Sequence, residues 1–362
     1  MREIGAELRK KLDRRLSMKT RITELFGIQH PIMLAGMSWI TEPKLVSAVS
    51  NAGGLGILAT GPLNPDETRK QIREIKSLTD KPFGVNQPLN SPASQGNIDV
   101  ILEEKVPIVN YALGRPWFVD QVHAYGGKII GTVAMVRHAI RAEQLGCDVL
   151  SVTGHEAAAH GADTTSMVLI PLVASAVKIP LLAAGGFFDG RGLAAAITLG
   201  ADAISMGTRF TLTQESIVHE KTKQLMLKGT ADDTLYSDRF DGMPGRVLKA
   251  KGAEDMMRRK GFPLIGGIAA ALQVKQMLKL SWGDLIKSAI TMQKGEKNLT
   301  VFQQLRFAGG SVGQQRAITD GDTDVGFIFS GQAQGGMNDL PTVAEVITRI
   351  VAEAEKVLED AA

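Results

Sequence analysis

The stretch Pro180–Phe210, PLLAAGGFFDGRGLAAAITLGADAISMGTRF, constrains the fold more than any other part of the chain. It reads as an apolar run, a glycine pair, a helix of small residues, a Gly-Ala-Asp break and a second apolar run ending in Gly-Thr. Leu181–Ala184 and Ala203–Met206 are short and evenly apolar, which suits strands of a parallel sheet covered on both faces. Gly185-Gly186 and Gly207-Thr208 then fall at the carboxyl ends of neighbouring strands, the face on which α/β barrels hold their ligands. Glycine lets a backbone approach an anion closely, and a following helix N-terminus favours negative charge, so the two turns together form a candidate phosphate cradle. Either turn alone is explained equally well as a tight turn with no ligand.

The same rhythm occupies the chain from Gln29 onward. Strands are expected at Pro31–Ala35, Gly54–Ala59, Pro82–Gln87, Ile108–Leu113, Lys128–Ala134 and Val149–Thr153, with helices such as Pro43–Asn51 and Pro65–Leu78 between them. With the opening pair this makes eight strands, and eight βα units with short connections imply an α/β fold of the closed (β/α)8, TIM-barrel type. An open doubly wound sheet is the competitor, but Gly54, Gly56 and Ala59 mimic its dinucleotide fingerprint from within a strand rather than at the start of a helix.

Beyond the eighth strand the pattern changes. Gln214–Lys228 reads as the eighth helix, and residues 230–248 are rich in turn formers. Residues 250–294 are methionine-rich with helical period, and Met256, Met257 and Met277 read as core filler. A last helix starts at Leu340-Pro341 and runs to about Leu358, with Asp339 as its cap. The expected organisation is a basic helical extension over residues 1–20, a barrel over 21–229 and 326–362 closed by the C-terminal helix, and a mostly helical lobe over 230–325 covering the barrel mouth. The extension carries Ile4, Leu8, Leu12 and Leu16 on a narrow apolar side, which suits docking on its own domain better than lying on a membrane surface.

Composition narrows the partners. At 362 residues, 44% hydrophobic and 22% charged, the chain can bury a large core. A formal net charge of +3 and 5% aromatics give no footprint for nucleic acid. One cysteine, Cys147, excludes an intramolecular disulfide framework. No apolar run approaches the roughly 20 residues of a membrane span, and a cytoplasmic location is expected. The oligomeric state is left open, a homo-oligomer included.

Chemistry concentrates after the sixth strand, in SVTGHEAAAHGADTTSM, which a barrel would hold over the centre of its mouth. His155 and His160 both lie there, and an imidazole titrates close enough to neutral pH to move protons. Metal binding is disfavoured, because no cysteine or third histidine stands nearby to complete a site.

Several of these segments together resemble the nitronate monooxygenase family, formerly the 2-nitropropane dioxygenases, and its relatives the FMN-dependent enoyl-acyl-carrier-protein reductases. The resemblance is carried by PIMLAGM (31–37), NAGGLGIL (51–58), PFGVN (82–86), EAAAHG (156–161), AAGGFFDGRG (183–192) and SMGTRF (205–210), with DGMPGRVL near Asp241 and SGQAQGGMNDLP near Ser330. The later part also resembles flavin oxidoreductases of this family that act on coenzyme A thioesters. The resemblance implies FMN as cofactor, its phosphate on Gly186, Gly207 and Thr208, with Gly185, Ser205 and Met206 also in the cofactor site. The flavin would meet Gly36, Met37, Asn86, Thr153 and Ala158, and His160 would be catalytic. NAD(P)H is a candidate electron donor. Two departures stand out: Thr153 replaces a flavin-contacting glutamine, and Ala158-Ala159 replace two glycines.

The leading function on this basis is an FMN-dependent oxidoreductase that oxidises alkyl nitronates with oxygen. The alternatives are an NAD(P)H-dependent reductase or dehydrogenase of an enoyl or acyl thioester, and a flavin-binding protein that has lost catalysis. In every case the partner is a small molecule. Gly186→Val, which places a side chain where the phosphate would sit, is expected to yield folded but largely flavin-free protein, checked by the flavin absorbance of purified material; full flavin retention would remove the phosphate assignment.

Overall fold

The structure is a computed structural model that describes residues 18–158, 160–259, 264–279, 281–283 and 301–361. The proposed basic extension lies outside these residues up to Ser17, as does Ala159. Eight parallel strands form the sheet: β1 (Ile32–Leu34), β2 (Gly56–Ala59), β3 (Phe83–Pro88), β4 (Ile108–Ala112), β5 (Lys128–Val133), β6 (Val149–Thr153), β7 (Leu181–Ala184) and β8 (Ala203–Met206). Their order is β1-β8-β7-β6-β5-β4-β3-β2, all pairs parallel. A bridge between Met33 and Leu55, with Leu34 N donating to Leu55 O at 2.9 Å, joins β1 to β2 and closes the barrel.

Strand parity sorts the side chains into two cores. Outward residues such as Leu34, Val85, Val109, Val152, Ala183 and Met206 pack beneath the surrounding helices. Inward residues Met33, Leu55, Ile57, Ile108, Ile130, Val149, Leu182 and Ala203 fill the lower barrel, together with Ile22, Phe26 and Ile28. The last three belong to α1 (Arg21–Phe26) and the turn after it, which plug the amino end. Thr20 and Thr23 form a capping box at the start of α1, and Gly27 ends it at φ +67°. Arg21 fastens the plug by donating twice to Asp202, at 2.7 Å each, while Asp202 Oδ2 accepts from Leu181 N at 3.0 Å.

Moving up each strand by two residues reaches the same inward face one layer higher. Here the residues are small or polar: Ala59, Asn86, Asn110, Thr132, Ser151, Ala184 and Ser205. Asn110 Nδ2 donates to Thr132 Oγ1 at 3.0 Å across this layer. The barrel is therefore filled with apolar side chains at its amino end and lined by small and polar ones at its carboxyl end.

Three expectations are corrected by the fold. The helix α2 (Pro43–Asn51) follows β1, and α8 (Gly190–Thr198) follows β7. Between them packs the C-terminal helix α14 (Val343–Asp360), so that helix completes the ring. A short turn, α9 (Thr208–Thr211), follows β8, and the segment Gln214–Lys228, expected to be the eighth helix of the ring, is helical as α10 (Glu220–Lys228), which packs against the 3-10 turn Gln332–Gly336. The cap of α14 is Thr342, whose hydroxyl and backbone exchange hydrogen bonds with Glu345, and not Asp339. Asp339 takes ion pairs from Arg209, at 3.0 Å, and from Arg349. Finally, residues 230–248 hold an antiparallel ribbon, β9 (Thr234–Ser237) with β10 (Gly245–Leu248). Alternation there is too short and too interrupted by Asp, Gly and Pro to announce strands.

The lobe continues through α11 (Lys251–Arg258), α12 (Leu264–Met277) and α13 (Val301–Gln315). Met256 and Met257 pack with Phe240, Val247, Ala253 and Phe327 as filler; the side chain of Met277 lies outside the described residues. Among the described residues no helix is long and apolar enough to cross a membrane.

The Asp339 carboxyl is pushed upward in pKa by burial, but hydrogen bonds from Arg349 and Arg209 outweigh this and hold it below the usual value. A depressed carboxyl stabilises fully above its unfolded value of about 3.9 and ceases to do so as pH falls through its folded value. Asp339→Asn is therefore expected to lower the urea midpoint at pH 7, by about 1 kcal/mol because the side chain is 39% exposed. The difference from the parent should shrink as pH is lowered towards 3.

Candidate active site

The two glycine turns lie side by side as the register of β7 and β8 requires. Gly185 and Gly186 adopt φ +101° and +85°, a pair of left-handed residues that side chains resist. A Cβ on Gly186 would meet nothing nearer than Glu156 Cβ at 3.7 Å, so space lies beside it, whereas one on Gly207 would stand 3.1 Å from Met37 Sδ. Among the described residues the N–H groups of Gly186, Gly207 and Thr208 find no protein acceptor. The Thr208 hydroxyl accepts from Gly331 N at 3.0 Å, which leaves its hydrogen to give.

The helix after β7 does not contribute as expected. Asp189 caps α8 by accepting from Gly192 N at 2.9 Å, and Gly190 N donates to Glu353 at 2.7 Å, so carboxylates already occupy that N-terminus. Of the residues assigned to the cradle, Ser205 points inward, while the Met206 side chain is packed in the outer core and only its backbone faces the turn.

Across the mouth, Asn86 is buried, and its Oδ1 has no partner among the described residues. Gly36 sits directly on it, since a Cβ there would fall 2.5 Å from Asn86 Cβ. Met37 N and O both engage Thr41 Oγ1, at 3.2 and 3.1 Å, which fixes the β1 loop. Next to it Trp39 holds φ +67° and buries an indole N–H that lacks a partner among the described residues. Strained backbone and orphaned polar atoms of this kind gather at functional sites.

The loop from Thr153 to α7 (Ser166–Ala176) is the third part. Glu156 folds back to accept from Ser166 N, at 2.9 Å, and Ser166 Oγ, at 3.0 Å, which caps α7. His155 is held by its neighbours: its Nδ1 lies 3.0 Å from Ala162 O, and its ring packs on Tyr236 at 4.5 Å between centroids, tilted by 59°. His160 meets the ribbon. Its Nε2 is 3.1 Å from Asp241 Oδ2, its Nδ1 3.3 Å from Pro244 O, and its ring edge packs on Phe329 at 5.6 Å. Arg246 grips the same loop through His155 O, at 3.3 and 3.2 Å, and Tyr236 donates to Gly161 O at 3.3 Å. Burial pulls the Arg246 guanidinium below its ordinary pKa, with Tyr236 and Glu156 opposing. From above, Gln332 N donates to Glu156 O at 3.0 Å, and Gly331 comes so close that a Cβ would lie 3.1 Å from Ala158 N. Among the described residues no cluster of His, Cys, Asp or Glu could hold a metal.

The profile of one family, nitronate monooxygenase, matches residues 19–97 and 89–353, and so spans barrel, mouth and ribbon alike. The chain belongs to the nitronate monooxygenase family. Within this family a Mycobacterium tuberculosis protein named (3aS,4S,5R,7aS)-5-hydroxy-7a-methyl-1-oxo-octahydro-1H-indene-4-carboxyl-CoA dehydrogenase is 37% identical over 346 residues, 94% of this chain and 97% of its own. A Staphylococcus aureus protein named "Probable nitronate monooxygenase" is 30% identical over 290 residues, 67% of this chain and 82% of its own. Among solved structures, FabK from Thermotoga maritima superposes with a TM-score of 0.78 at 34% identity, covering 95% of this chain and 99% of that one. These relatives make this family member an oxidoreductase.

Sequence reasoning did not single out Asn110, Thr132, Ser151, Tyr236 or Arg246. The first three had a signal, each being a polar residue in the upper part of a mostly apolar buried strand. The other two had none, because the ribbon that brings them to the loop is set by tertiary packing. Glu156→Ala is expected to cost about 1–2 kcal/mol by uncapping α7, measured as a fall in unfolding free energy in urea; an unchanged midpoint would show that the helix start does not depend on it.

Proposed function

We propose that this protein is an FMN-dependent oxidoreductase that moves hydrogen between the flavin and an acyl or enoyl thioester of coenzyme A or acyl carrier protein. The observation that carries the cofactor reading is a set of polar groups at the carboxyl end of the barrel that have no partner among the described residues: the N–H groups of Gly186, Gly207 and Thr208 at the β7 and β8 turns, and the buried Asn86 Oδ1 on β3. Three such N–H donors suit a phosphate, and an orphaned amide oxygen suits a ring N–H. The small side chains Ala184, Ser205 and Thr153 suit a flat ring in this layer better than the Leu or Ile of a barrel filled to the top would.

FMN bound there supplies the two-electron chemistry, which no side chain of the protein can perform. The chain's own residues do the rest. Gly36 and Met37 would hold the flavin through their backbone, Asn86 would orient it, and Thr153, at the carboxyl end of β6, would stand beside it in place of a longer amide. His160, held by the ribbon beside the mouth, handles a proton of the substrate, while Phe329 and the 330–336 turn keep water from the reacting atoms.

The thioester is favoured as substrate because similarity to the coenzyme A dehydrogenase runs through 94% of the chain, lobe included, against 67% for the Staphylococcus aureus relative. Oxidation of alkyl nitronates is the second reading, favoured by the family profile itself. Anaerobic absorbance of the flavin-loaded protein separates them. On the first reading a hydroxyacyl-CoA or NAD(P)H bleaches the flavin; if only a nitronate does so, and oxygen is consumed on aeration, the second reading holds. Flavin that no donor reduces would mark a binding protein without catalysis. His160→Ala is expected to lower the active reaction by about 10²-fold, and His155→Ala, whose ring faces Tyr236, by much less. Equal losses in both would reject His160 as the proton-handling residue.

A further inference from the structure

We infer that Asp241 is the positioning residue of His160, and that the ribbon exists at this mouth to deliver it. The inference deepens the reading of His160 given above and rests on it. The Asp241 side chain is only 7% exposed, and its two oxygens are committed in different directions. Oδ2 faces His160 Nε2 at 3.1 Å, and Oδ1 accepts from Met243 N at 3.2 Å, which fixes the plane of the carboxylate. Pro244, three residues on, gives its carbonyl oxygen to Nδ1 at 3.3 Å. One tight turn thus addresses both nitrogens of a single imidazole. Nε2 on the carboxylate, with Phe329 against the ring, sets the orientation, and Nδ1, whose contact with the Pro244 carbonyl is the longer one at 3.3 Å, is the nitrogen that exchanges that contact for a substrate proton.

The turn is itself braced. Gly242 holds φ +87°, where a Cβ would lie 2.8 Å from Gln303 O, and a Cβ on Gly310 would lie 2.6 Å from Asp241 Cβ. Helix α13 therefore bears on the backbone of Asp241 at two glycine contacts, and the position of the carboxylate is set by the packing of the lobe. This also gives the Ala158 side of the loop a physical role. The loop beside His160 carries alanine where the family pattern has glycine, and its path is imposed from outside by Tyr236, Arg246 and Asp241 rather than by its own flexible residues. An imidazole oriented by a buried carboxylate is a recurrent device for holding a proton-transfer group in one geometry.

The test is a double-mutant cycle on the flavin-loaded protein, read as anaerobic flavin reduction by a 3-hydroxyacyl-CoA and by NADPH. Asp241→Asn should lower the rate at saturating donor by at least about 10-fold while flavin content and half-saturating donor concentration change by less than about 3-fold. In the His160→Ala background the same change should have no further effect, because the carboxylate then has nothing to orient. Asp241→Glu, which keeps the charge, should recover part of the rate. If His160→Ala is slow and Asp241→Asn is as fast as the parent, this inference fails while the reading of His160 stands; if His160→Ala is itself as fast as the parent, that reading fails. Additive losses in the double variant would also overturn the inference, since they mean Asp241 acts elsewhere. A readout independent of any donor is the 15N signal of the His160 ring, assigned by its loss in His160→Ala. It should shift in Asp241→Asn, and also in Gly310→Ala, which keeps the carboxylate but pushes its base; an unmoved signal in both would contradict the pairing.

Discussion

The closure of β1 onto both β8 and β2 is the constraint on which the rest depends. It is made by short parallel strands in which every backbone donor and acceptor must find a neighbour, because both faces are buried. Once the ring closes, strand parity is fixed all the way round, and each side chain is committed to the inner or the outer core. The same closure puts the β8 turn against the β1 loop, where Gly207 and Met37 touch, and the β7 turn against the β6 loop, where Gly185 approaches Ala157. The candidate cradle is a consequence of barrel geometry more than of any local motif.

Within that ring the inner face changes character with height. Met33, Ile57, Ile108, Ile130 and Val149 close the lower barrel, and a two-residue step along the strands replaces them with Asn, Thr, Ser and Ala. The candidate site therefore lies above a packed apolar floor. Arg21 and Asp202 matter to function on this view because they hold the helical plug that makes the floor.

Much of this was legible in the sequence, for identifiable reasons. Evenly apolar runs of four to six residues between glycine and proline breaks mark buried strands, so all eight were placed to within a few residues. The paired glycines were legible because positive φ has few other solutions. What was not legible came from long-range packing. Nothing in residues 230–248 says that Asp241 will lie beside His160, 81 positions away, since that depends on how α13 seats the turn. The C-terminal helix was expected to close the barrel, but a helical period fits α10 and α14 equally well; only the sheet and its neighbours decide that α14 fills the gap between α8 and α2. The anion-friendly helix start after β7 was misread because Glu353, which occupies it, arrives from the far end of the chain.

The proposed function requires that the upper layer of this barrel, from the Gly186–Gly207 turns to Asn86, take up one FMN. The most direct measurement is to denature the purified protein and identify and quantify what is released by chromatography and mass spectrometry. The account predicts FMN, close to one per chain in fully loaded protein. Release of FAD, or protein that takes up no flavin when incubated with excess FMN, would contradict it.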